Sequence, residues 1–280
     1  MLITRTIKDL KNKISKYKAD GKQIGFIPTM GALHKGHLSL IECSKSNDDI
    51  TVASIFVNPT QFNNKEDLKK YPREEEKDIE LLKQVGCDIV FIPTVEEMYP
   101  EEDKRQFNFG GIENVMEGKF RDGHFNGVAQ IVSKLFQYVE PDNAYFGIKD
   151  FQQVAIIRYL NKHYLADLNI NIVACDILRE EDGLAMSSRN KLLSPNYRNA
   201  APLIQKTLKK YKKDYKNYSV KELMNKITEE INENELLNVE YVDIVDNTTL
   251  KTVDKIIEGQ TTACIAVFAG KVRLIDNIAF

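Results

Sequence analysis

The chain has 280 residues, with 39 lysines and arginines against 41 aspartates and glutamates and a net charge of −2. At about 150 residues per domain, that length suggests two domains with room for a sizeable core. Hydrophobic residues at 42% and charged residues at 29% exclude a disordered chain and collagen-like repeats, and the near-neutral balance gives no whole-chain attraction to nucleic acid or an anionic membrane. Over the first 175 residues, helix and strand patterns alternate in the way that builds a parallel sheet with helices on both faces. Thr6–Asp20 is charged and amphipathic and stops at Gly21, and Ile24–Ile27 is a short apolar run stopped by Pro28. A helix pattern follows from near Gly36 to about Ser46. Ile50–Val57 is a β-branched run suited to burial on both faces and is halted by Asn58-Pro59. Glu66–Val85 reads as one charged helix and Asp88–Ile92 as the third strand, which completes a doubly wound signature.

Beyond a polar stretch with several glycines, Val128–Val139 reads as a buried helix, Ala144–Gly147 as a strand end, Asp150–Tyr164 as a helix and Ile170–Ile177 as the last strand of this part. The pattern then changes. Ser194–Tyr211 and Ser219–Asn232 are helical and rich in lysine and glutamate, whereas Val239–Val245, Thr261–Phe268 and the short Val272–Ile275 are strands. Helices followed by neighbouring strands predict a small α+β domain, so the expected division is 1–177 and 178–280. Cys43, Cys87, Cys175 and Cys264 form no C-x-x-C pair and read as buried thiols in a reducing compartment. The first nine residues carry charge where a signal peptide needs its apolar stretch, and the longest uncharged run, Ile50–Asn64, falls short of the about 18 residues of a spanning helix. A soluble cytoplasmic protein is therefore expected.

Four strand-end segments carry residues suited to anion chemistry. In Pro28–His37, a strand gives way to a helix whose free N–H groups and dipole attract anions, and Gly31 and Gly36 allow phosphate oxygens to approach. His34 and His37, three residues apart, add donors on one side; a zinc pair and a satisfied structural pair are the alternatives. Neither a Walker A loop nor a Gly-x-Gly-x-x-Gly motif is present. Ala185–Asn190 places Ser187 and Ser188 beside Arg189, which suits an anion that is gripped and released, or an ordinary capping turn. In Tyr145–Gln153, Gly147 permits close approach and Lys149 is a flexible cation, with Asp150 a plausible helix cap. In Ser54–Phe62, Asn58 and Gln61 follow a buried strand and are suited to hold a small polar substrate.

His34-Lys35-Gly36-His37 resembles the His-x-Gly-His signature of nucleotidyltransferases and class I aminoacyl-tRNA synthetases, and Met186–Arg189 resembles the phosphate loop of the same superfamily. Taken with Tyr71-Pro72-Arg73, Gly123–Val128 and Arg273–Asn277, the four segments resemble the pantothenate synthetase (pantoate–β-alanine ligase) family over essentially the full chain. The resemblance implies a Rossmann-like doubly wound sheet with a C-terminal α+β lid. It also implies ATP-dependent condensation of (R)-pantoate with β-alanine through pantoyl adenylate, with AMP and pyrophosphate as products. ATP would be bound by Met30, Gly31, Ala32, Leu33, His34, Lys35, Gly36 and His37, by Gly147, Ile148, Lys149 and Asp150, and by Leu178, Met186, Ser187, Ser188 and Arg189. Within that set His37, His34, Lys149 and Arg189 would be catalytic, with His37 the proton donor. Gln61 and Gln153 would hold pantoate, Gln61 would also meet β-alanine, and Asn58 would add a substrate contact.

Mg²⁺ is expected to arrive with ATP, held mostly by phosphate oxygens and water, with no protein ligand assigned. Asp78 is a weaker candidate for a place behind the metal's own ligands, and Lys77, where some relatives carry an acidic residue, leaves the protein ligand open. The resemblance also implies a homodimer. Two other readings use the same residues: a transferase that leaves the nucleotide on its product, and a nucleotide sensor without turnover. The basic run Lys206–Lys216 reads as a solvated helix face rather than a nucleic-acid site.

Overall fold

The computed structural model describes residues 1–62 and 65–280; Asn63 and Asn64, at the end of the uncharged run, lie outside them. A six-stranded parallel sheet is built from β1 (Leu2–Thr4), β2 (Ile24–Thr29), β3 (Ile50–Ile55), β4 (Ile89–Phe91), β5 (Asn143–Gly147) and β6 (Asn171–Cys175), in the order β1-β4-β3-β2-β5-β6. The crossover elements include α1 (Ile7–Ala19), α2 (Lys35–Asn47), α3 (Lys65–Lys70), α4 (Glu75–Gln84), α5 (Val95–Met98), α6 (Met116–Phe120), α7 (His124–Val139) and α8 (Phe151–Tyr164). The strand order reverses direction at the β2/β5 pair, where an open α/β sheet makes its ligand crevice beyond the carboxyl ends of the strands.

The remaining helices are α9 (Pro195–Ala200), α10 (Leu203–Asp214) and α11 (Val220–Asn232), packed on an antiparallel sheet of β7 (Leu237–Asp246), β8 (Thr261–Ala269) and β9 (Val272–Ala279). One face of this small sheet buries Ile244, Ala263, Ile265 and Val267 with Leu208, Leu223 and Ile227 of α10 and α11. Val245 and Cys264 instead join the core of the large sheet, so the two parts share packed apolar surface. The fold is thus the α/β doubly wound sheet with a smaller α+β part that the sequence predicts.

Several boundaries differ from the predicted ones, each for a physical reason. The edge strand β1 is too short to show a periodicity, and it leaves Leu2 and Ile3 about 40% exposed. Pro28 does not stop β2. The ladder to β5 ends at Phe26, so the missing N–H of Pro28 falls beyond the last bond on that side. Pro72 breaks the predicted Glu66–Val85 helix into α3 and α4, and Pro202 stands between α9 and α10 where a single helix over Ser194–Tyr211 is predicted. β9 runs four residues past the predicted Ile275 because Asp276 and Asn277, polar in sequence, are buried and hydrogen-bonded. Of the four cysteines only Cys87 and Cys264 are buried; Cys43 and Cys175 are partly exposed, and all four are free thiols. The lysines of α10 face solvent while Ile204, Leu208 and Tyr211 are buried, an amphipathic face of the kind expected for Lys206–Lys216. No helix among the described residues is long and apolar enough to cross a membrane.

Candidate active site

The first of the strand-end segments is the turn from β2 into α2. Two successive residues there have left-handed backbone, Gly31 at φ +79° and Ala32 at φ +52°, the second of which is costly for a residue with a Cβ. Asp78 of α4 holds the turn in place: its Oδ2 accepts from Ala32 N–H at 2.8 Å and its Oδ1 from Leu33 N–H at 2.7 Å. Asp78 is only 1% exposed, and burial pushes its carboxyl up while those two backbone bonds pull it down. Each carboxylate oxygen therefore holds one backbone N–H of the turn. Among the described residues no group of three or more His, Cys, Asp or Glu side chains is placed to hold a metal ion.

Asp78→Ala should destabilise the protein by about 3 kcal/mol, because two buried N–H groups lose a charged acceptor. Urea unfolding measures this, and a change below about 0.5 kcal/mol would show that the turn holds itself.

His34 is the N-cap of α2. Its Nδ1 accepts from Gly36 N–H at 3.1 Å, and the Nδ1 of His37 accepts from His34 N–H at 3.4 Å, a reciprocal capping arrangement. The two rings lie 4.1 Å apart. A side chain at Gly36 would strike the His34 ring at 2.9 Å, so the glycine makes room for the histidine. With both Nδ1 atoms accepting, each ring carries its proton on Nε2. Burial, followed by the charges of Lys149 and Lys191, pushes His34 down to about 4; burial, then His34 and Lys149, pushes His37 down to about 3. At neutral pH this is a pair of uncharged N–H donors at the positive end of a helix. The satisfied-pair reading and the donor reading describe opposite sides of the same rings.

Two further strand-end segments face the same crevice. After β5, a 3-10 turn at Ile148–Asp150 presents Lys149, 19% exposed, whose Nζ is 3.8 Å from the Asp150 carboxylate. Asn277 of β9 donates to the carbonyls of Ile148 and Lys149 at 2.9 and 3.0 Å, so the small sheet fixes this turn. Asp150 makes no side-chain cap to α8. After β6, the chain leads through Leu178, which is exposed and whose carbonyl accepts from Met186 N–H at 3.0 Å, to the Ser187 turn. Ser187 Oγ accepts from Arg189 N–H at 3.2 Å, the local turn weighed above, and Arg189 lines the adjoining cavities. Lys35 is exposed on the first turn of α2.

Gln61 and Asn58 occupy the turn after β3. Asn58 is 1% exposed and spends its amide on the protein: Oδ1 accepts from Tyr99 at 2.8 Å, and Nδ2 donates to Gly127 O at 3.0 Å and Gln61 Oε1 at 3.2 Å. Asn58 therefore orients Gln61 and has no donor left for a substrate. α7 presses on this turn so closely that a Cβ at Gly127 would sit 2.3 Å from Thr60 O. Gln61 Nε2 donates to Met30 Sδ at 2.9 Å. These side chains border a cavity of about 210 Å³ that His37 also lines, and a second cavity of about 360 Å³ opens toward the small sheet. Arg121, His124, Asp150, Gln153 and Arg189 line both, which makes them one cleft.

The sequence reading gave no role to two of these. His124 is 5% exposed and its Nδ1 donates to Gln61 O at 3.0 Å, since a carbonyl can only accept. Its Nε2 is consequently a bare acceptor, and burial, with Arg121 nearby, pushes the ring down to about 4. The Gly123–Val128 stretch pointed to it without giving it a task; nothing in the sequence pointed to Arg121.

Comparison with known proteins places this cleft in context. The sequence profile of the Pantoate-beta-alanine ligase family matches residues 2–279. A pantothenate synthetase of Bacteroides thetaiotaomicron is 50% identical over 281 residues, covering all of this chain and 99% of that protein, and one of Porphyromonas gingivalis is 50% identical over the same length. The crystal structure of pantothenate synthetase from Thermus thermophilus superposes with a TM-score of 0.91 at 37% identity, covering 100% of this chain and 99% of that one. Pantoate-beta-alanine ligase from Francisella tularensis, solved with β-γ ATP and β-alanine, superposes with a TM-score of 0.82 at 36% identity, covering 100% and 97%. The profile match, the identities over whole chains and the shared fold agree: this chain belongs to the pantoate–β-alanine ligase family and is an enzyme of pantothenate biosynthesis.

Proposed function

We propose that the chain joins (R)-pantoate to β-alanine in two steps through a pantoyl adenylate. The observation that carries this is an uncharged histidine donor, His37, lining a cavity whose walls also carry Gln61 and Gln153, with the uncharged ring of His34 packed 4.1 Å from it. The ligand-bound relative from Francisella tularensis supports ATP and β-alanine as substrates. In the first step a pantoate carboxylate oxygen attacks the α-phosphorus of ATP, the P–O bond to pyrophosphate breaks, and pyrophosphate leaves. In the second, the β-alanine amine attacks the acyl carbon, the C–O bond to AMP breaks, and the amine releases its proton as the amide forms.

The residues act mainly by aiming donors at charge that grows in the transition state. The Nε2–H groups of His34 and His37, with Lys149, Arg189 and the positive end of the α2 dipole, would face the phosphates; the first-turn N–H groups of Gly36, His37 and Leu38 are already bonded to His34. Met30–Gly36, Gly147–Asp150 and Met186–Ser188 would form the walls of the nucleotide site. Gln153 has no hydrogen-bond partner among the described residues and lines both cavities, so its amide is free to hold pantoate beside Gln61, which Asn58 orients. Mg²⁺ bound to ATP would neutralise phosphate charge, held mostly by phosphate oxygens and water. The part from residue 178 onward would act as the lid, because its Ser187–Arg189 turn and Asn277 border the nucleotide side.

The test supplies Mg-ATP and pantoate without β-alanine. The expected result is one pyrophosphate per active site in a single burst, becoming continuous formation of AMP and pantothenate once β-alanine is added. Pyrophosphate that appears only when all three substrates are present would remove the adenylate from the mechanism.

A further inference from the structure

The two-step reading requires the cleft to receive two kinds of anion: the phosphates with the pantoate carboxylate, and the carboxylate of the incoming amino acid. Four cationic side chains line the larger cavity. Lys149 and Arg189 stand by the phosphate side, beside the histidines and Ser187. Arg273 is committed: it makes paired bonds of 2.6 and 2.9 Å to Glu117 and reaches Glu240 at the bulge in β7. Arg121 remains. Its guanidinium is only partly exposed, yet it has no hydrogen bond or ion pair to any described residue, and it lines both cavities. Burial, then the nearby charges of Arg189 and Arg273, disfavour its own charge, while the carboxylates of Glu117 and Asp150, neither of them bonded to it, act the other way without cancelling this.

A guanidinium partly withdrawn from water and left without a partner costs free energy, and an anion that pairs with it offsets that cost. The neighbouring groups sharpen the point. His124 is neutral with a bare acceptor, so it adds no positive charge, while the N-terminal end of the 16-residue helix α7, capped by no side chain, favours a negative one. We propose that Arg121 binds the carboxylate of the amine substrate and thereby makes the site select an amino acid over a simple amine. This rests on the two-step ligase reading and adds to it the group that recognises the second substrate. A planar guanidinium matches a carboxylate through two parallel bonds, which a lysine cannot reproduce.

The experiment compares the native enzyme with Arg121→Gln and Arg121→Lys in two assays. The first is pantoate-dependent exchange of label between pyrophosphate and ATP without amine, which reports adenylate formation and the intact fold. The second is kcat/KM with β-alanine and with propylamine, which lacks the carboxylate. The expected result for Arg121→Gln is exchange within about threefold of native and a β-alanine KM raised about 10- to 100-fold, the loss of one charge-assisted interaction. The preference for β-alanine over propylamine should shrink by the same factor, and Arg121→Lys should restore part of it. An unchanged preference, or exchange falling in step with ligation, would overturn the assignment. Absence of exchange in the native enzyme would instead overturn the two-step reading beneath it.

Discussion

His37→Ala is expected to slow pantoate-dependent pyrophosphate formation by about 10²- to 10³-fold, the usual effect of deleting one donor that acts in the transition state. The same change should barely touch the fold. His37 contributes to the capping arrangement of α2 through a long 3.4 Å bond, and removing such a contact costs about 1 kcal/mol or less. Rate and stability thus separate, and the two are read together from single-turnover pyrophosphate release and thermal unfolding. His37→Gln should recover part of the rate, because an amide N–H can also donate. The effect should be equally large at pH 6 and pH 8: burial holds the ring down to about 3, so it is an uncharged donor throughout that range. A near-native rate in His37→Ala would remove the residue from the chemistry.

Much of this site was legible in the sequence because local chemistry dictates it. A short apolar strand running into Gly31, His34, Gly36 and His37 announces a helix start with donors, and the structure places that helix start at the β2/β5 reversal. Lys149, Ser187 and Arg189 were visible for the same reason, as polar residues at strand ends. What was hidden depends on contacts far apart in the chain. Asp78 is one acidic residue among several on a charged helix; only the folded chain shows its two oxygens taken by Ala32 and Leu33, 46 and 45 positions away. Asn58 offered itself as a substrate contact, but Tyr99 and Gly127, also distant in sequence, use up its amide. Arg121 carries no local signal, since its meaning lies in the absence of a partner. Pro28 and Pro72 show the limit of local rules: one proline is absorbed where a ladder has ended and the other breaks a helix outright.

The second large effect concerns acid. His37 and His124 sit near 3 and 4 in the folded protein against an ordinary value of 6.5, and His34, more open to solvent, sits near 4. A base whose folded pKa is depressed takes up a proton on unfolding, so its contribution to stability is complete above about 6.5 and is lost as the pH falls from there toward the folded value. Near pH 5 the buried His124 and the half-buried His37 each add a slope of about 1.4 kcal/mol per pH unit, together about 3. Carboxylates held charged by partners, such as Asp103 beside Arg105 and Asp182 beside Arg198, erode stability in the same direction, but only at lower pH where they protonate. Urea unfolding between pH 6.5 and 5 therefore isolates the histidines. In His124→Gln, whose amide can still donate to Gln61 O, the slope near pH 5 should fall by about 1.4 kcal/mol per unit. An unchanged slope would mean that His124 is already protonated in the fold, and its Nε2 would then face the cleft as a cation instead of an acceptor. The burial that keeps the histidines of the cleft uncharged at neutral pH is thus the same burial that makes the fold sensitive to mild acid.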